Sequence, residues 1–169
     1  MRVAITGKPG TGKTTLCLKV YEALRDRLDV RGFVTKEVRK NGVRVGFEII
    51  DLKSGERFTL ARVGEGFPRV GKYVVYVESV ERVSERILRD YSSADLTVID
   101  EVGPMELKST SFVSAMSRLV EAQDNLLVTV HYRSTHPLVL RIKKEFRVFE
   151  ITRDNRDSLV REVLSSLDS

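Results

Sequence analysis

Hydrophobic and polar positions along the chain switch between two rhythms. Residues 2–6 form a short, largely apolar run that stops at Gly7, the pattern of a buried strand entering a turn. Behind it Leu16, Val20, Leu24 and Leu28 recur every four residues, which predicts one apolar face of a helix over 13–28. Strands are predicted at 32–38, 43–50 and 57–61, with Asn41-Gly42 between the first two. That dipeptide is a hairpin signal, because both central positions of the favoured tight turn need positive φ. Ser54-Gly55 marks a further turn, and Gly64, Gly66, Pro68 and Gly71 crowd a loop suited to a lid or to a plain connection. Beyond it, strands at 73–77, 96–99, 126–130 and 147–151 alternate with helices at 80–91, 111–121, 137–144 and 156–167. Such alternation predicts parallel strands covered by helices on both faces, a three-layer α/β sandwich with the hairpin as an antiparallel addition.

Composition narrows the class. At 169 residues the chain has the size of one domain, and nothing in its make-up divides it, so 1–169 reads as a single unit. Hydrophobic residues at 41% and charged residues at 31%, without low-complexity stretches, exclude a disordered or fibrous protein. Apolar runs of only a few residues predict no membrane span, and the start lacks a signal-peptide pattern, so the expected location is cytoplasmic. The single cysteine, Cys17, has no partner for an internal disulfide and is expected to be a buried packing residue.

A net charge of +5 leaves an anionic partner open. Basic and acidic residues are nevertheless interleaved, as in Arg25-Asp26-Arg27-Leu28-Asp29, which suits a salt-bridged surface. No basic stripe with interleaved aromatics runs along the sequence, so nucleic-acid binding is open but unsupported at this level. Gln123 as the sole glutamine, and abundant charge, are habits of proteins from hot environments.

The run Gly7-Lys8-Pro9-Gly10-Thr11-Gly12-Lys13-Thr14 follows a predicted strand and opens a predicted helix. In that context its spacing is that of a phosphate-cradling loop. Glycines let successive N–H groups converge on phosphates without Cβ clashes, and the helix start adds partial positive charge there. Lys13 is expected on the β- and γ-phosphates of a nucleoside triphosphate, and Thr14 is expected to offer its hydroxyl to Mg²⁺, which favours hard oxygen ligands.

Asp100-Glu101 closes the apolar run 96–99, and ligands of open α/β sheets bind at the carboxyl ends of strands. Asp100 is the candidate second magnesium residue, directly or through water, and Glu101 the candidate base for an attacking water. An acid directly after the magnesium aspartate favours hydrolysis over a switch GTPase. Strand 32–38, between the two motifs in sequence, points to the additional-strand division of these folds, the RecA-like and AAA-type ATPases.

Several stretches carry a further likeness: 32–39, 42–47, 70–75, Ile99-Asp100-Glu101-Val102-Gly103-Pro104-Met105-Glu106-Leu107 and Thr152-Arg153-Asp154-Asn155-Arg156. Together they resemble the family of thermophilic-type nucleoside triphosphatases that includes the cancer-related nucleoside triphosphatase, over nearly the whole chain. The resemblance implies a RecA-like P-loop fold that slowly hydrolyses ATP, GTP, CTP and UTP to diphosphate and phosphate. It also implies nucleotide contacts at 7–14 and at Asp100, Glu101, Val102 and Gly103. Pro104 departs from a lysine frequent in relatives, and Val130-His131-Tyr132 from an Ile-Pro pair, so neither Pro104 nor His131 takes a role by analogy.

Other residues admit two readings. His131, after strand 126–130, is either a γ-phosphate sensor or a helix-entry histidine, while His136 before Pro137 reads as part of a helix start. Two isolated histidines make no zinc site. Glu37, Arg39 and Arg44 belong either to a nucleotide contact, with an arginine acting in its own chain or a neighbouring one, or to a charged exposed hairpin. Asn155 and Arg156 lie either near the base and ribose or, for Asn155, at a helix cap. The competing functions are a P-loop kinase, with 62–72 as its only candidate lid, and a nucleotide-regulated adaptor or nucleic-acid motor. Nucleoside triphosphates are the expected partners, with no membrane, and a monomer is the expected unit.

Overall fold

The computed structural model describes residues 1–168. Strand β1 (Arg2–Thr6) leads through the glycine loop into α1 (Lys13–Leu24). Then come β2 (Val30–Lys40), β3 (Val43–Asp51), β4 (Arg57–Val63), β5 (Arg69–Val70) and β6 (Tyr73–Val75). Helices and strands alternate thereafter: α2 (Val77–Asp90), β7 (Leu96–Val102), α3 (Thr110–Ala122), β8 (Leu126–Val130), α4 (Pro137–Glu145), β9 (Arg147–Glu150) and α5 (Arg156–Asp168). A 3-10 turn, Glu106–Lys108, lies between β7 and α3.

All nine strands form one sheet in the order β5-β6-β4-β3-β2-β7-β8-β1-β9. From β2 to β9 every pairing is parallel, and from β2 to β5 every pairing is antiparallel. The antiparallel addition is thus four strands beyond β2, larger than a hairpin. Helices α1 and α5 pack with Val3, Ile5, Val34 and Val98 on one face, and α2, α3 and α4 pack with Ala4, Phe33, Ile99 and Val128 on the other. Alternate residues of one strand feed opposite cores, which is why these strands read as continuous apolar runs. Cys17 is fully buried in the first of these layers, and burial holds its thiol well above the usual range.

Most predicted elements appear, with informative shifts. Helix α1 stops at Leu24 because the chain tightens there, Arg27 N–H bonding the Leu24 carbonyl, so Leu28 packs from outside the helix. Val77, predicted to end a strand, starts α2, since Val77, Val80, Ser84 and Ile87 fall on one helical face. The hairpin turn is as expected, with φ of 52° at Asn41 and 79° at Gly42. The strand separating the glycine loop from Asp100 is β8, from the last third of the chain, whereas 32–38 lies on the far side of Asp100's strand. At that β2–β7 seam, a Cβ on Gly32 would stand 1.8 Å from the Val98 carbonyl oxygen, so only glycine fits.

The amino-terminal edge of the parallel strands carries an ion-pair network. Arg31 bridges Asp29 and Asp90, Lys53 joins Asp29, Arg86 bridges Asp51 and Glu56, and Arg89 closes on Asp90. It surrounds a cavity of about 110 Å³ that Tyr91 and Ile87 also line. No helix among the described residues is long and apolar enough to cross a membrane.

Candidate functional site

The site is built at the opposite, carboxyl-terminal edge. Gly12 takes φ 107°, a conformation that side chains disfavour, and its carbonyl accepts the Leu16 N–H as α1 begins. Lys8, Pro9 and Gly10 are exposed at the tip, Thr11 bonds back to the Lys8 carbonyl at 2.7 Å, and Gly7 is buried against Ile151. Lys13 folds over this loop. Its ammonium donates to the Gly7 carbonyl at 2.7 Å and lies 3.7 Å from the Glu101 carboxylate.

Asp100 is 3% exposed and all but enclosed by threonines. Thr14 Oγ1 donates to Oδ2 at 2.7 Å, Thr129 Oγ1 to Oδ1 at 2.6 Å, and the Thr35 N–H to Oδ2 at 3.3 Å. Burial pushes its carboxyl up, and these three hydrogen bonds together with Lys13 pull it partly back. An isolated buried carboxylate costs several kcal/mol, whereas each hydrogen bond to a charged group contributes about 1.5–3 kcal/mol, so the threonines are what make a charge tolerable there.

Glu101 is more open. Burial raises its carboxyl above the ordinary range, Lys13 opposes the shift, and Asp100 adds to it. A Cβ on Gly103 would come 2.6 Å from Glu101 Oε1, so the glycine leaves room for that carboxylate. Both acids lie inside β7 rather than after it, at a register shift against β8 between Ile99 and Val102, where a cis peptide joins them. Val102 turns its side chain into the core, and its carbonyl accepts the His131 N–H.

The expected residues therefore converge: Lys13 and Thr14 from α1 meet Asp100 and Glu101 from β7, although β8 separates their parent strands. His131 stands close enough to Lys13 to feel its charge; burial lowers its pKa first, and Lys13, Arg133 and Lys143 lower it further. Arg156 packs against the loop at Gly12. Asn155 braces the chain before α5, accepting the Thr152 N–H and donating to the Glu150 carbonyl, and His136 caps α4 by accepting the Leu138 N–H. Glu37, Arg39 and Arg44 pair with one another on the hairpin.

Three residues of the site had no assignment from sequence. Thr35 and Thr129 hold Asp100; a hydroxyl inside the apolar run 126–130 was the only visible trace of the second. Glu106 is the third, buried on the turn after β7, with a carboxyl pushed well up by burial and by Glu101 and Asp100.

The donor set suits a hard divalent cation. The Thr14 hydroxyl and Asp100 carboxylate are both oxygen donors, 2.7 Å apart. Among the described residues no group of three His, Cys, Asp or Glu side chains is placed to hold a metal ion.

A glycine loop entering α1, with the acidic strand one strand removed across β8, defines a P-loop nucleoside-triphosphatase fold of the RecA-like, additional-strand kind. More narrowly, the chain belongs to the NTPase family, whose model matches residues 2–164. It is 52% identical over 168 residues, 99% of each chain, to nucleoside-triphosphatase THEP1 of Archaeoglobus fulgidus. The crystal structure of THEP1 from the hyperthermophile Aquifex aeolicus superposes with a TM-score of 0.87 at 33% identity, covering 100% of both chains. The solution structure of a human cancer-related nucleoside triphosphatase gives 0.82 at 36% identity, covering 98% of this chain and 96% of that one.

Proposed function

We propose that the protein hydrolyses nucleoside 5′-triphosphates to diphosphate and phosphate with magnesium, slowly and with little regard for the base, as a single-domain monomer. The observation that carries this reading is the contact of Lys13 with Glu101 beside the Thr14–Asp100 pair, four groups of one chain meeting at one point.

The backbone N–H groups of 7–14 bind the phosphates. Lys13 exchanges its Gly7 carbonyl and Glu101 partners for β- and γ-phosphate oxygens, which frees Glu101. Thr14 and Asp100 would hold magnesium, which when bound would supply positive charge to the triphosphate. Glu101 then orients a water and accepts its proton as the water oxygen bonds to the γ-phosphorus. The bond from γ-phosphorus to the bridging oxygen breaks, its electron pair leaves with the diphosphate, and Glu101 returns the proton to solvent. Broad base use follows from a site whose assigned contacts all address the triphosphate. Slow turnover accords with a single catalytic cation, Lys13, and no arginine assigned to the transferring phosphate.

Phosphate release from ATP, GTP, CTP and UTP, with and without Mg²⁺ and with no acceptor added, tests the reaction. Release from all four that needs the metal is expected; release only on adding a nucleoside, nucleotide or RNA end would mark a kinase. In Glu101→Gln we expect nucleotide binding to persist while turnover falls by about two orders of magnitude or more. An unimpaired variant would remove Glu101 from this role.

A further inference from the structure

The protein's charge is unevenly placed. Residues 36–44 and 62–72 hold seven basic and two acidic side chains, a net +5 equal to that of the whole chain, leaving 22 of each sign elsewhere. The two segments are distant in sequence but adjacent in space. Parallel pairing of β2 with β7 ends at Phe33 and Ile99, whereas β2 and β3 stay paired out to Lys40 and Val43, so the hairpin stands clear of the parallel half. Strand β4 rises beside it, and Val63 at its end pairs with Tyr73. Arg44 ties them together, donating to the Tyr73 hydroxyl at 2.9 Å, and Lys72 lies over the same ring.

Lys36, Lys40, Arg62 and Lys72 have no carboxylate partner among the described residues, and Arg69 bonds only the Gly64 and Gly66 carbonyls, shaping the loop that carries Phe67. Phe67 is 90% exposed, with Val43 at 61% and Val63 at 48%. Unpaired cations on a tip that also carries a bare aromatic ring match a chain of phosphates bearing unstacked bases. They do not match a bilayer, because one phenylalanine and two valines bury less than a single acyl chain, itself a marginal anchor.

We propose that this tip, contiguous through Thr35 with the Asp100 site, binds single-stranded nucleic acid, its cations on the phosphates and Phe67 stacked on a base. Fluorescence anisotropy of end-labelled 20-nucleotide RNA and DNA of the same sequence, single-stranded and duplex, tests it on the full chain. Single strands of at least one sugar type should bind, and about five neutralised phosphates should cost roughly 10²-fold in affinity between 50 and 200 mM salt. Phe67→Ala should weaken single-strand binding at least about fivefold and leave duplex binding unchanged. Lys40→Glu/Lys72→Glu should weaken it tenfold or more, against about twofold for Arg82→Glu/Arg118→Glu, which makes the same charge change elsewhere. Equal losses in the two doubles, salt-independent binding, or capture by phosphatidylserine vesicles without oligonucleotide binding would overturn the proposal. Thermal melting and phosphate release on the same samples should match wild type, because none of these side chains belongs to the catalytic set.

Discussion

Two edges of one sheet use acidic residues in opposite ways. At the amino-terminal edge Asp29 and Asp90 are half-buried and tied to cations: hydrogen bonds from Arg31 and Lys53 pull Asp29 below the usual carboxylate range, and Arg89 does the same to Asp90. At the carboxyl-terminal edge Asp100 and Glu101 share the charge of one ammonium, Lys13, Glu106 feels only the two acids, and burial pushes all three upward. Four acids meet four cations at one edge and are satisfied. The other edge is short of positive charge, which on the function proposed above a cation arriving with the substrate would supply. Neutral threonines, rather than arginines, keep Asp100 in place there.

The contrast can be broken most severely at Lys13. Lys13→Ala should lower phosphate release by about 10²–10³-fold, the scale for losing one preorganised contact to developing charge, and turnover near wild type would refute the phosphate-loop assignment.

Smaller and of opposite pH dependence are the stability effects of one acid from each edge. Glu106 has a folded-state pKa above its unfolded value, so the native state holds the proton more tightly and stability is lost as pH rises through that interval. Glu106→Gln should therefore match wild type in acid and become the more stable protein as pH climbs from the usual carboxylate range into neutral and beyond. A gain of about 1–2 kcal/mol would appear as roughly 2–8 °C in a melting series.

Asp29 behaves in the reverse sense. Its folded pKa is depressed, so its contribution is complete above the ordinary carboxylate pKa and disappears as pH falls through the folded value. Asp29→Asn should melt about 2–4 °C lower at pH 7, near 1 kcal/mol, with the deficit closing in acid. Parallel pH profiles for the two variants would erase the distinction between the edges.

Local signals explain what could be read without coordinates. The phosphate loop is eight consecutive residues, and Asp100-Glu101 caps an apolar run, so both carry their meaning in adjacent positions. Thr35 and Thr129 do not, because they reach Asp100 from 65 and 29 residues away, and a threonine in a strand is indistinguishable from one chosen for β-branching. Glu106 sits in the stretch 99–107, yet its burial depends on how the turn after β7 folds back. The tip's charge escaped for the same reason: neither 36–44 nor 62–72 is a basic stripe alone, and only antiparallel pairing through β3, β4 and β6 joins them. Strand order also misled, since 32–38 precedes Asp100 in sequence while the strand that parts the two motifs comes after it.

Placing β1 between β8 and β9 has a consequence for how the molecule is made. Strand β1 leaves the ribosome long before its neighbours, which begin at Leu126, so Val3, Ala4 and Ile5 stay without sheet partners until those strands are made. A chain halted before Leu126 would carry the complete phosphate loop and both carboxylates in its sequence and still have no site, because the strand that sets the distance between them had not been synthesised.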